Sequence, residues 1–208
     1  KDSTIKDLKE FYHYYPWQPL PKEVGSKTTD LYERLERIAC EILGWMENAV
    51  PEGVRANFDR PLSDMVRKAR GTLLRILHYP PLTGEEEEGA VRSSAHQDIN
   101  FITLLMAATE PGLEVMDLTG KWHAVPTDPG AIVINGGDML SLLTEGFYPS
   151  TPHRVVNPVG ESAKRPRYSI PLFLHSHDDV RLSAEHTRKT YFEQRLFEIG
   201  LRATRAAS

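Results

Sequence analysis

His96-Gln97-Asp98-Ile99-Asn100-Phe101-Ile102-Thr103-Leu104-Leu105-Met106-Ala107 places a polar tripeptide directly before an apolar, partly β-branched run of strand length. Similar short runs lie on either side of residues 100–107: at 72–79 before it, and at 113–116, 122–125, 131–135, 139–143, 153–157 and 168–175 after it. Turn-forming residues separate them. Asp117-Leu118-Thr119-Gly120 suits a hairpin, and Pro126-Thr127-Asp128-Pro129-Gly130 suits a tight connection. Many short strands with regular punctuation predict a sandwich or jelly roll.

The flanks follow a helical period instead. Leu31, Leu35, Ile38, Ile42 and Met46 recur at three- or four-residue steps, which predicts a helix capped at Asp30, supported by Glu33, and ending near Asn48. A second helix is expected from Pro51 towards Lys68, broken at Pro61, with Val54, Phe58, Leu62 and Met65 facing inward. A last helix is expected over 186–205, turning Tyr191 or Phe192, Leu196 and Ile199 to the core. The expected fold is therefore mainly β with flanking α. It has a helical N-terminal flank at 1–71, a jelly-roll core at 72–185 and a C-terminal helix at 186–208.

Composition narrows the function classes. The hydrophobic fraction is 40% of 208 residues, and with 14 glycines this matches a globular domain rather than a disordered chain. Net charge is −4, from 25 Lys and Arg against 29 Asp and Glu, so there is no basic footprint for nucleic acid or an anionic membrane. The longest nearly apolar stretch, 101–108, is far below the ~20 residues of a membrane span. Cys40 is the single cysteine, so no internal disulfide forms and a reducing, cytoplasmic setting is expected. Its place on the apolar side of the first helix suits a small buried hydrophobe. Nothing in the sequence signals an oligomeric state. The run Glu85-Glu86-Glu87-Glu88 reads as a solvated loop.

Two places carry histidines at ligand spacing, His96-Gln97-Asp98 and His175-Ser176-His177. In an extended chain, residues two apart leave the same face, so either place could present two ligands together. His153 opens a β-rich run 57 residues after His96, enough chain for several strands to cross a jelly roll and return. Two imidazoles and one carboxylate on one face leave coordination positions open for reactants, whereas a structural zinc site closes its shell. Arg167 and Ser169 lie 14 and 16 residues beyond His153. They face the same way in a strand, where a guanidinium fork and a hydroxyl can grip one carboxylate.

The ordered set His96-x-Asp98, His153-Arg154-Val155-Val156-Asn157-Pro158 and Arg167-Tyr168-Ser169 resembles the isopenicillin N synthase-like superfamily of iron- and 2-oxoglutarate-dependent dioxygenases, including its bacterial branch. The segments Leu74-Arg75-Ile76-Leu77-His78-Tyr79-Pro80-Pro81 and Asp128-Pro129-Gly130-Ala131-Ile132-Val133-Ile134-Asn135-Gly136-Gly137-Asp138 match as well. The resemblance spans about residues 72–175.

It implies a double-stranded β-helix with Fe(II) held by His96, Asp98 and His153. Arg167 and Ser169 would bind the distal carboxylate of the cosubstrate 2-oxoglutarate. Tyr79 stands at the position of a cosubstrate-binding tyrosine, although Leu77 replaces the frequent asparagine of that motif. The implied reaction consumes O2, releases succinate and CO2, and hydroxylates, desaturates or cyclises a small organic substrate. Two alternatives remain open. One is an oxidase of the same superfamily that uses O2 without 2-oxoglutarate, with Arg167 and Ser169 binding a substrate carboxylate. The other is a non-catalytic jelly-roll binding module. Apolar walls suited to guarding an oxidant are expected from Phe101, Leu104, Phe147 and Phe173. His175 and His177 are expected to finish the last strand, and His13 to sit in the aromatic cluster 11–17, bordering the entrance. Lys1-Asp2-Ser3-Thr4 reads as an interior starting point, so the family's usual first segment is expected to be missing.

Overall fold

The computed structural model describes residues 5–201; Lys1–Thr4 and the expected helical residues 202–205 lie outside them. Ten strands form two antiparallel sheets. The larger sheet contains β1 (Glu10–Tyr14), β2 (Leu73–Tyr79), β4 (Ile102–Met106), β7 (Ile132–Gly136), β9 (Arg167–Ser169) and β10 (Pro171–Leu174). Its order is β1-β2-β10-β4-β7, with β9 also paired to β2. The smaller sheet takes β3 (Ser93–His96), β5 (Leu113–Met116), β6 (Trp122–Ala124) and β8 (His153–Val155) in the order β3-β8-β5-β6.

Strand alternation divides the larger sheet into two chemistries. On one face Leu74, Ile102, Leu104, Leu172 and Leu174 are fully buried in a helix-covered core. The core is roofed by α1 (Lys27–Ala49), which packs on β10 and β4 through Tyr32, Leu35, Ala39 and Leu43. The opposite face presents Leu73, Arg75, Leu77 and Tyr79 of β2, Thr103 and Leu105 of β4, and Phe173 of β10 towards the interior cavities. The functional groups therefore sit between the sheets, and the helices stabilise from outside.

Several expectations are revised. Residues 139–143 form a helix, α4 (Asp138–Leu143), because a short apolar run has no decisive period and here Met139, Leu140 and Leu143 share one buried face. Gly137 permits this turn, since a Cβ there would collide with the Asn100 carbonyl oxygen. The expected helical flank contributes β1, which pairs with β2 from Glu10↔His78 to Tyr14↔Leu74. Its aromatic residues conceal the alternation of an edge strand. Residues 51–68 form two short helices, α2 (Glu52–Arg55) and α3 (Leu62–Val66), each entered from a proline. Asp30 lies in the first turn of α1, which starts at Lys27; there its charge complements the helix dipole rather than capping the helix. The last helix, α5 (Arg188–Glu198), leaves Ile199 44% exposed just beyond its end.

His175, directly after β10, packs against Phe192 and is buried. Lost solvation, and then the charges of Arg188 and Arg75, push its imidazole down to about 3. A histidine lowered in the folded state stabilises the fold fully above its unfolded pKa near 6.5, and the benefit is lost as pH falls from there towards 3. Wild-type stability in urea is expected to drop by about 2 kcal/mol between pH 7.5 and pH 5 from this group. His175→Gln should remove that part of the loss. Equal losses in both proteins would reject the assignment.

Candidate active site

Antiparallel pairing brings the two imidazoles together: His96 of β3 lies opposite His153 of β8, with ring centroids 4.3 Å apart. Asp98 follows in the turn after β3 and is buried. Its Oδ1 is 3.9 Å from His96 Nε2 and 3.7 Å from His153 Nε2. The three ligand atoms all lie within 4.8 Å of one another, and among the described residues this is the one cluster of three such groups.

The surroundings decide what these atoms offer. His96 Nδ1 is 2.8 Å from the Ser94 carbonyl and His153 Nδ1 is 3.1 Å from the Thr151 carbonyl. A carbonyl only accepts, so each Nδ1 carries the hydrogen and each Nε2 keeps a lone pair facing Asp98. Lost solvation, followed by the neighbouring His153, pushes the His96 imidazole below its ordinary value, which favours the neutral ligand form. Asp98 Oδ2 accepts from Thr103 Oγ1 at 2.7 Å and Asn135 Nδ2 at 3.0 Å, which turns Oδ1 to the imidazoles. The backbone is fixed too, because the Asp138 and Met139 amides at the start of α4 donate to the Asp98 and Asn100 carbonyls.

Two neutral nitrogen donors and an oriented carboxylate suit a divalent transition metal. Bonds of ~2.0–2.2 Å can span donors separated by 3.7–3.9 Å. Thr103 and Asn135 were not identified as site residues from sequence. Thr103 is the polar interruption of an apolar strand, and that interruption is the one available signal.

The second pair meets on β9. Tyr79 lies opposite Arg167 and Leu77 opposite Ser169. Arg167 and Ser169 are both buried, and with the triad they line a narrow cavity of about 70 Å³. Arg167 Nε donates to the Glu110 carbonyl at 2.9 Å, whereas its buried Nη1 has no partner among the described residues. The Arg167 guanidinium stands 5.1 Å from the Tyr79 ring centroid. Burial pushes the Tyr79 phenol up against the opposing pull of Arg167, which keeps its hydrogen in place. An unpaired, buried guanidinium nitrogen in a cavity is the partner a carboxylate requires.

Other candidates separate from this centre. Phe101 and Leu104 belong to the helix-covered core, and Phe147 is 43% exposed, so Phe173 alone of the four lines the cavity. His175 and His177 diverge: the first is buried, and the second meets the Arg67 carbonyl at 3.0 Å. His123 pairs with Asp117 across the hairpin at 2.6 Å. His13 stacks on Phe11 and borders the outer cavity. Cys40 is buried, and burial pushes its thiol up, away from nucleophile behaviour.

Residues 71–176, half of the chain, match the family described as the 2OG-Fe(II) oxygenase superfamily. The chain belongs to that superfamily. This superfamily member is 48% identical to a candidate oxygenase of known crystal structure from Shewanella oneidensis, with a TM-score of 0.86 over 95% of this chain and 73% of that one. A full-length Neurospora crassa protein, solved in complex with alpha-KG, aligns at 26% identity and a TM-score of 0.72, over 92% of this chain and 66% of that one. Clavatol oxidase claD of Penicillium crustosum is 31% identical over 170 residues, which are 80% of this chain and 48% of that protein. The chain spans about half the length of the curated relatives it matches or less. These neighbours share the jelly-roll fold expected from the strand pattern.

Proposed function

We propose that this superfamily member is an Fe(II)- and 2-oxoglutarate-dependent oxygenase acting on a small organic substrate. His96, Asp98 and His153 would hold the metal, and Arg167 and Ser169 the distal carboxylate of 2-oxoglutarate. The observation that carries this reading is the pairing of three converging, lone-pair-bearing donors with an unpartnered, buried Arg167 Nη1 in the same cavity. The Neurospora neighbour crystallised with alpha-KG supports it, as do relatives named 2-oxoglutarate-dependent dioxygenases.

Bound iron supplies the centre at which O2 and 2-oxoglutarate react to give succinate, CO2 and an oxidised substrate. The chain's own residues do the positioning. Thr103 and Asn135 orient the Asp98 carboxylate, and the Ser94 and Thr151 carbonyls hold the imidazole tautomers. Arg167 is anchored through Nε by the Glu110 carbonyl, which leaves Nη1 for the cosubstrate. Tyr79 packs beside that guanidinium and closes the inner end of the cavity. Leu77, Leu105, Leu113 and Val155 exclude water from the same wall. We assign catalysis to the jelly roll at 72–185, with the N-terminal flank completing its edge through β1 and the C-terminal helix covering its mouth. No helix among the described residues is long and apolar enough to cross a membrane. A cytoplasmic setting accords with the buried, free Cys40.

Anaerobic addition of Fe(II) and 2-oxoglutarate should give the weak visible absorption of the chelate, and admitting O2 should release succinate. Fe(II) binding that 2-oxoglutarate leaves spectroscopically unchanged would favour the oxidase that dispenses with this cosubstrate. A folded protein with neither iron binding nor succinate release would be a binding module.

A further inference from the structure

We propose that the substrate is an organic monocarboxylate with an apolar body, its charge paired with Arg75 at the outer side of the metal centre. This rests on the preceding functional reading and adds the substrate class to it. The inward face of β2 carries Leu73, Arg75, Leu77 and Tyr79 in alternation. Arg75 is four residues from Tyr79, which places it about 13 Å along the strand from the Arg167 end at ~3.3 Å per residue. Two guanidiniums therefore serve different ends of the interior.

Arg75 lines both the narrow inner cavity and a wider outer one of about 660 Å³, a volume suited to a small ligand. His96 and Asp98 line both cavities as well, so whatever fills the outer one approaches the metal ligands. The guanidinium is fixed in place. Its Nε donates to His13 Nε2 at 2.7 Å, and it lies 4.8 Å from the Phe11 ring centroid and 4.7 Å from that of Phe173.

Arg75 lacks a counter-ion of its own. Among the described residues no carboxylate lies within 4 Å of it; the one that acts on it most strongly is Asp98, already committed to the two imidazoles. His13 offers only a neutral lone pair, since lost solvation and then Arg75 itself hold that imidazole down at about 4. The other arginines near the outer cavity differ. Arg188 is paired with Asp178 at 2.5 Å, and Arg195 with Glu198 at 2.5 Å. A largely enclosed, clamped cation without a partner is stabilised by an incoming anion. The remaining walls, Phe173, Phe192, Leu196 and Leu201, call for an aromatic or aliphatic body.

The full chain loaded with Zn(II) in place of iron, plus 2-oxoglutarate, binds ligands without turnover. Ligand-observed NMR titration would compare phenylacetate, indole-3-acetate and hexanoate with their neutral primary amides. At least one acid should bind about tenfold or more tightly than its amide, as loss of a charge-assisted pair implies. Arg75→Gln should bring that acid down to the affinity of the amide, and Arg75→Lys should keep a clear preference for the acid. No acid favoured over its amide in the wild type, or a preference that survives in Arg75→Gln, would overturn the proposal. The wild-type comparison decides even where Arg75→Gln fails to fold. Binding of 2-oxoglutarate in the same samples separates the two readings: its absence rejects the cosubstrate assignment, whereas its presence without acid preference rejects only the role of Arg75.

Discussion

Asp98→Ala is expected to lower Fe(II) affinity by about 10²–10³-fold. Structural zinc sites with four ligands bind with ~10–16 kcal/mol, so one ligand accounts for roughly 3–4 kcal/mol, and each 1.4 kcal/mol is tenfold. Asp98 is also the charged member of the triad and the one group that faces both imidazoles. Its neighbours should show a graded effect. Thr103→Val and Asn135→Ala each remove one donor to Oδ2 and leave the ligand in place, so affinity should fall by about 10–100-fold. Equilibrium dialysis of Fe(II) under anaerobic conditions measures all three. Wild-type affinity in Asp98→Ala would eliminate this cluster as the metal centre. Equal losses in all three would mean that Asp98 only maintains local structure.

Arg167→Leu should raise the dissociation constant for 2-oxoglutarate by about 10²–10³-fold while Fe(II) binding persists. Truncating one partner of a buried charge pair costs ~2–5 kcal/mol in binding. The stability of the ligand-free protein should respond in the opposite sense to an ordinary core arginine. Nη1 is buried without a partner, and removing an unsatisfied buried donor relieves ~1–3 kcal/mol; the lost bond from Nε to the Glu110 carbonyl offsets part of that. Urea unfolding of the ligand-free variant should therefore stay within about 1–2 kcal/mol of wild type. A large loss of stability with 2-oxoglutarate affinity intact would show that Arg167 is a structural residue.

The strands from β2 to β10 were largely legible because each is short, rich in branched and aromatic residues, and bounded by Gly, Pro or Asp turns. Residues 113–116 emerge with unchanged bounds as β5, whereas 139–143 become α4. Five apolar residues carry too few repeats to separate a period of two from one of 3.6. What settles that case is the docking of the α4 amides on the Asp98 and Asn100 carbonyls, a contact about 40 residues distant in the chain. The aromatic run at 10–14 hid β1 for a related reason, since an edge strand with both faces partly covered loses clean alternation.

The order of residue types along the chain determined the candidate ligands His96, Asp98 and His153, the guanidinium–hydroxyl pair Arg167 and Ser169, and the β-rich class of the fold. Each follows from short-range spacing and side-chain chemistry. Only the tertiary structure decided that His96 and His153 face one another, that Thr103 and Asn135 aim Asp98, and that Arg75 stands unpaired beside the centre. Those relations depend on strand register and on which of two alternating faces turns inward. Register is set by the burial of whole sheets rather than by any local segment, and a slip of one residue would send every one of these side chains to the opposite face.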